Sequence, residues 1–129
     1  MISTKACTRI AVGALTAAAI LAPTAAQASA PSPYAQAAAA VRANGTLAYG
    51  KNIVSVSRVG TGRYCVRVGS DIDLSKEVVQ VTPWNEFNRS YGVWTPHGYC
   101  GNQVNTILVA FNASDTRAHA DAPFFLSIP

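Results

Sequence analysis

From Ile53 to Val68 the chain alternates on either side of a Gly-Thr-Gly turn, and this pattern restricts the fold more than any other feature. Val54 and Val56 fall on one side of the run Ile53-Val54-Ser55-Val56-Ser57-Arg58-Val59, with Ser55 and Ser57 on the other. After Gly60-Thr61-Gly62 the chain returns as Arg63-Tyr64-Cys65-Val66-Arg67-Val68, where Tyr64, Val66 and Val68 share a side and Cys65 and Arg67 oppose them. Successive side chains of a strand point to opposite faces, so a period of two predicts half-buried strands. Asn44-Gly45 predicts a second hairpin turn, because both residues tolerate positive φ. Further strands are predicted over Glu77–Thr82, Tyr91–Thr95, Val104–Phe111 and Phe124–Ile128. Val104–Phe111 becomes apolar on both faces and suits a central strand. The polar, Ala-rich stretch from Asn112 to Ala122 is expected to be a long exposed connection. About seven short strands with no amphipathic helix predict an all-β chain, a small antiparallel sandwich or barrel.

The N-terminus has a different character. Lys5 and Arg9 precede an apolar run from Ile10 to Leu21, followed by small residues, which together form the pattern of a secretory signal. Two small-x-small cleavage sites fit, Ala26-Gln27-Ala28 and Ala28-Ser29-Ala30. The second leaves Pro31 first, where its ring hinders the peptidase, so residues 1–28 are read as the signal. The alternative is an uncleaved anchor, but the run falls well short of the ~20 apolar residues that span a bilayer. Cys7 precedes the run and is not placed for lipid attachment. Residues 29–40 are read as a flexible Ala/Pro-rich lead-in and 41–129 as a single β domain, secreted and extracellular. The chain carries 10 Lys plus Arg against 6 Asp plus Glu. Removing Lys5 and Arg9 leaves 8 against 6, a net +2 that is too small and scattered for nucleic acid.

Without Cys7, two cysteines remain, Cys65 and Cys100, and an exported domain is expected to join them in a disulfide. The other reading is a reactive or metal-binding thiol. Neither cysteine has a CxxC neighbour, and His97 near Cys100 is only a weak pointer to thiol chemistry.

Gly45-Thr46-Leu47-Ala48-x-Gly50, then Val54-Ser55-Val56-x-Arg58-x-Gly60-Thr61-Gly62-Arg63-Tyr64-x-Val66, and the terminal Pro123-Phe124-x-Leu126 carry a resemblance. In these segments the chain resembles a group of small secreted β-domain proteins of actinobacteria, mostly uncharacterised. The resemblance spans about half of the exported part and departs over Trp84 to Gly101. It implies an exported β-domain of actinobacterial source, carries no catalytic motif, and transfers no function.

Candidate chemistry is sparse. The histidines are His97 and His119, and the acids are Asp71, Asp73, Glu77, Glu86, Asp115 and Asp121. There is no Gly-x-Ser-x-Gly elbow and no His-Glu-x-x-His helix, so no catalytic residue, metal or cofactor is assigned and an enzyme is not expected. His119 with Asp115 and Asp121 is read as a set of solvated loop residues. Asp71-x-Asp73 lacks the regular oxygen ligands of an EF-hand and is read as a turn. Residues 51–76 hold five cations against two acids, net +3. That stretch is either a solvated strand face or a mildly basic surface able to meet anionic wall polymers.

The segment from Trp84 to Gln103 is the most suggestive. It holds Trp84, Phe87, Tyr91, Trp94 and Tyr99, interleaved with Asn85, Asn88, Arg89, Asn102 and Gln103. Aromatic faces give sugar rings a flat apolar platform, and amides and Arg supply directional hydrogen bonds. The competing reading is that these rings fill the core of a small domain. The expected ligand-binding residues are Trp84, Asn88, Arg89, Tyr91, Trp94 and Tyr99, with Trp84 and Tyr99 the most exposed. The expected function is a non-catalytic extracellular domain that binds glycan or cell-wall polymer. The rival is a small protein-binding effector, an enzyme inhibitor or competitor-directed toxin, using the turn Trp94–Cys100. No membrane insertion is expected after signal removal.

Overall fold

The computed structural model describes residues 32–129; the predicted signal and residues 29–31 lie outside them. Eight strands are present: β1 (Ala37–Val41), β2 (Leu47–Lys51), β3 (Ile53–Gly60), β4 (Arg63–Val68), β5 (Gln80–Pro83), β6 (Arg89–Trp94), β7 (Thr106–Ala113) and β8 (Phe124–Ile128). They form two four-stranded sheets, in the orders β2-β1-β8-β5 and β3-β4-β7-β6. Every neighbouring pair is antiparallel. Three hairpins, β1–β2, β3–β4 and β6–β7, stay within a sheet; the other connections cross between sheets. The architecture is an antiparallel sandwich, one of the two expected all-β forms, with eight strands rather than about seven.

The inward faces meet in one core. Ala37, Ala39, Val41, Phe124, Leu126 and Ile128 come from the first sheet, and Tyr64, Val66, Val68, Ile107, Val109 and Phe111 from the second. Tyr64 is fully buried and meets the rings of Phe111 and Phe124 edge-on, with centroids 6.0 and 5.2 Å away. Its hydroxyl donates to the Ala43 carbonyl at 2.6 Å and accepts the Ala122 N–H at 3.3 Å. Burial pushes the Tyr64 phenol up to about 12. One ring thus supplies apolar bulk and closes two backbone groups that belong to different connections.

Three expectations are corrected. The lead-in does not extend to Ala40: Ala37–Ala40 form most of β1, central in its sheet and buried. An alanine run has no period-two contrast and weak strand preference, so only its pairing with β2 and β8 makes it a strand. The connection from Asn112 to Ala122 is not simply exposed. It folds back so that Asn112 bridges His119, Ala113 N–H reaches the Ala118 carbonyl, and Ala122 is buried. The core reading of the aromatic segment is also wrong for Phe87, which is almost fully exposed.

Asp121 closes one end of the sandwich. Its carboxylate accepts Arg58 Nε at 3.0 Å, Arg58 Nη2 at 2.9 Å and the Gly62 N–H at 2.6 Å. Partial burial raises its pKa, but the hydrogen bonds from Arg58 and Gly62 and the Arg58 charge outweigh this and hold it below its ordinary value. Gly62 has φ +69°, and a Cβ there would collide with the backbone of Phe111 and Ala120. Only glycine fits both the dihedral and the space. Register shifts interrupt β3 at both ends, between Ile53 and Ser55 and between Arg58 and Gly60, and a third lies between Ala40 and Val41 of β1.

Candidate aromatic face on the outer side of the second sheet

Residues opposite one another on antiparallel strands share a face. Cys65 pairs with Leu108, Arg63 with Ala110, Gly92 with Ala110 and Trp94 with Leu108. All therefore point away from the core. Trp94 follows Gly92 by two positions and is on the same side, so the benzenoid end of its indole lies over the glycine. A Cβ at Gly92 would strike that ring. The missing side chain lets the indole lie down on the sheet, and Trp94 remains 46% exposed.

The disulfide brings the next part of the face into place. Cys65 and Cys100 are bonded, with Cα atoms 5.6 Å apart, and they hold the short 3₁₀ turn Gly98–Cys100 against β4. His97 caps that turn, its Nδ1 accepting the Tyr99 N–H at 3.1 Å. The His97 ring stacks on Tyr99 with centroids 5.0 Å apart and packs at a tilt against Trp94 at 5.9 Å. Arg63 lies over the Tyr99 ring, 4.4 Å from its centroid, as a cation–π contact. Tyr99 is 55% exposed. The row Trp94, His97, Tyr99 and Arg63 thus crosses the outer face. Beside it lies a groove of about 270 Å³ whose walls include Ser55, Ser57, Arg67, Gln103 and Thr106.

Arg63 also reaches His119, with Nη2 2.6 Å from Nε2, while Nδ1 of the ring is 2.8 Å from Asn112 Oδ1. A guanidinium only donates, so Nε2 accepts and the ring proton sits on Nδ1, donated to Asn112. His119 is therefore a brace behind Arg63 rather than an idle loop residue. The acids near it in sequence are engaged elsewhere, Asp115 with the Thr116 N–H and Asp121 with Arg58 and Gly62. Asp73 caps a 3₁₀ turn through Ser75, and Asp71 accepts from Asn52. Among the described residues no cluster of three or more His, Cys, Asp or Glu is placed to hold a metal.

Of the six expected ligand residues, the structure brings together Trp94 and Tyr99. Tyr91 pairs with Phe111 on the inward side and packs against that ring at 5.9 Å, half-exposed at the sheet edge. Arg89 donates to the Asp121 carbonyl at 3.2 Å and pairs with Glu86 at 3.7 Å, so it ties the start of β6 to the β7–β8 connection and to the residues just before it. Asn88 is exposed, and its carbonyl accepts from Ser114 and Arg89. Trp84 stacks on Phe125, with centroids 5.0 Å apart, and Phe125 alternates with the core residues of β8. Trp84 thus belongs to the outer side of the other sheet and is only half-buried rather than highly exposed.

Sequence reasoning missed Gly92, Arg63 and His119 as members of the face. Gly92 was legible as the small residue two positions before an aromatic on a strand. Arg63 and His119 come together only through the fold. Comparison with protein-family models, curated proteins and solved structures finds no significant match to this chain. The disulfide, and the lack among the described residues of a helix long and apolar enough to cross a membrane, are compatible with an extracellular protein.

Proposed function

We propose that this is a secreted, non-catalytic binding domain that holds a glycan or cell-wall polymer on the outer face of its second sheet. The observation that carries the reading is the Trp94 indole laid over Gly92 beside a disulfide-held Tyr99, next to a groove lined by hydroxyls, an amide and Arg67. Sugar rings stack on such platforms, and their hydroxyls need directional partners close by. Tyr99 already packs against His97 and Arg63, so Trp94 supplies the open ring face and Tyr99 the rim. The contacts proposed are Trp94, Tyr99, Arg67 and Gln103; Trp84, Asn88, Arg89 and Tyr91 are dropped from this site.

Co-sedimentation of the oxidised protein with insoluble cell walls and polysaccharides tests the reading. Retention is expected to fall for Trp94→Ala. It should also fall for Gly92→Ala, which keeps the indole but lifts it from the sheet. Unchanged retention in both, with native circular dichroism, would remove the face from the binding site. Absence of retention on every polymer would favour a protein partner instead.

A further inference from the structure

The other sheet also presents aromatic rings outward, and this inference rests on the polymer-binding reading above. Tyr49 of β2 and Phe125 of β8 both pair with Ala40 of β1, one on each side. Since Ala37, Ala39 and Val41 face the core, Ala38 and Ala40 and their partners face outward. Tyr49 and Phe125 are 48% and 36% exposed. Two strand spacings separate their positions, roughly 9.5 Å. Trp84 extends the row by stacking on Phe125. Polar partners flank it along the same strands: Lys51 is opposite Ala38, and Ser127 donates to Gln80 Oε1 at 3.4 Å. Ala40, between the two rings, is small and fully buried beneath its neighbours.

The charges are segregated in a way that identifies the occupant. All six acids of the chain, Asp71, Asp73, Glu77, Glu86, Asp115 and Asp121, lie outside the strands. Four of them are engaged by Asn52, Lys76, Arg89 and Arg58. The strand residues of the two outer faces therefore carry cations and no carboxylate: Lys51 on the first sheet, its Nζ donating to the Pro33 carbonyl at 3.0 Å, and on the second Arg63, held by His119, and Arg67. Rings, hydroxyls, amides and cations that no carboxylate neutralises suit an extended polysaccharide that bears carboxylate or phosphate groups.

We infer that the outer face of the first sheet, built on Tyr49, Phe125 and Trp84, is a second site for the same anionic polysaccharide, and that one domain cross-links two chains. The sheets of a sandwich lie ~10 Å apart with their outer faces turned in opposite directions, so each face takes its own chain.

The experiment adds oxidised protein to polygalacturonate, to teichoic-acid-bearing wall fragments and to neutral cellulose, and reads both retention and clumping by turbidity. The first two arms separate carboxylate from phosphate recognition. The wild type is expected to clump an anionic polymer, with the effect suppressed by salt. Trp94→Ala/Tyr99→Ala and Tyr49→Ala/Phe125→Ala should each still bind but no longer clump, with apparent affinity lower by ~10²-fold through lost avidity. If either aromatic pair disturbs folding, Lys51→Glu and Arg67→Glu probe the two faces with exposed charge changes. Complete loss of binding in the Trp94/Tyr99 variant overturns the second site while leaving the first reading intact. Complete loss only in the Tyr49/Phe125 variant overturns the first reading and the cross-linking together. Clumping that survives both single-face variants, or equal clumping of neutral cellulose, overturns the inference.

Discussion

Replacing Cys65 and Cys100 by serine removes a cross-link that closes a loop of 36 residues, counting both ends, from a sequence separation of 35. Loop-closure entropy for that length gives about 4 kcal/mol at room temperature, acting through the freedom regained by the unfolded chain. For a domain of this size, such a loss lowers Tm by ~15–30 °C. The bonded pair sits on the outer face of β4, and Cys65 itself is buried, so the folded state also loses the anchor of the Gly98–Cys100 turn. Far-UV circular dichroism during heating and urea titration, on Cys65→Ser/Cys100→Ser and on reduced wild type, measures the global effect. Hydrogen exchange separates the local one. The Gly101 and Asn102 amides, which donate to Gly98 and His97, should lose protection well beyond the global change. A loss under ~1 kcal/mol, with these amides still protected, would refute both parts of the argument, because the turn would then be held by its packing alone.

Three further outcomes follow from the core and its closed end. Gly62→Ala places a Cβ against the Phe111 and Ala120 backbone at positive φ, and should cost more than ~1 kcal/mol in urea unfolding; a neutral result would mean the turn shifts freely. Tyr64→Phe leaves the Ala122 N–H and the Ala43 carbonyl without their shared hydroxyl, for an expected loss of ~1–3 kcal/mol. Because the folded phenol is raised to about 12, its contribution is complete below the ordinary value near 10 and is lost as pH rises from there through 12. The phenylalanine variant should therefore show a flatter alkaline Tm profile. Asp121 behaves in the opposite sense: its folded pKa is lowered, so its stabilisation is present above the ordinary carboxylate range and disappears as pH falls through the folded value. Asp121→Asn should be less stable at pH 7 and show a shallower acid decline in Tm; parallel acid curves for the two proteins would contradict the assigned role.

The strands that a reader can find in the sequence are those with side-chain contrast. Tyr64 to Val68 alternates between core and outer face as expected and pairs with β3. In β3, however, the register shift between Ile53 and Ser55 sets Ile53 and Val56 against the core and leaves Val54 exposed, so the expected shared face of Val54 and Val56 does not form. Phe124–Ile128 is found to the residue. β1 was hidden because four alanines look alike on both faces, and its place between β2 and β8 is a property of the whole sheet. The pairing of Cys65 with Cys100 followed from assigning Cys7 to the predicted signal, which leaves only these two cysteines. The aromatic segment was harder to read. Neighbours in sequence such as Trp84, Tyr91 and Trp94 were expected to form one surface, yet alternation and the crossing between β5 and β6 send them to three surroundings. The rings that do gather around Trp94 and Tyr99 do so through a glycine, a disulfide and an arginine, none of which announces a partner locally.

The register shifts and short edges bear on how this chain behaves at high concentration. An open sandwich has four edge strands, here β2, β5, β3 and β6, each a template for strand addition by a neighbouring molecule. β3 is interrupted at both ends, the β1–β2 pairing shifts at Ala40/Val41, and β5 has four residues and ends on Pro83, which has no N–H to offer. Three of the four edges are thus poor templates for a ladder with another copy. Strand addition between copies is left to β6, and at the other three edges the aggregation that commonly besets small β proteins is opposed by backbone irregularity.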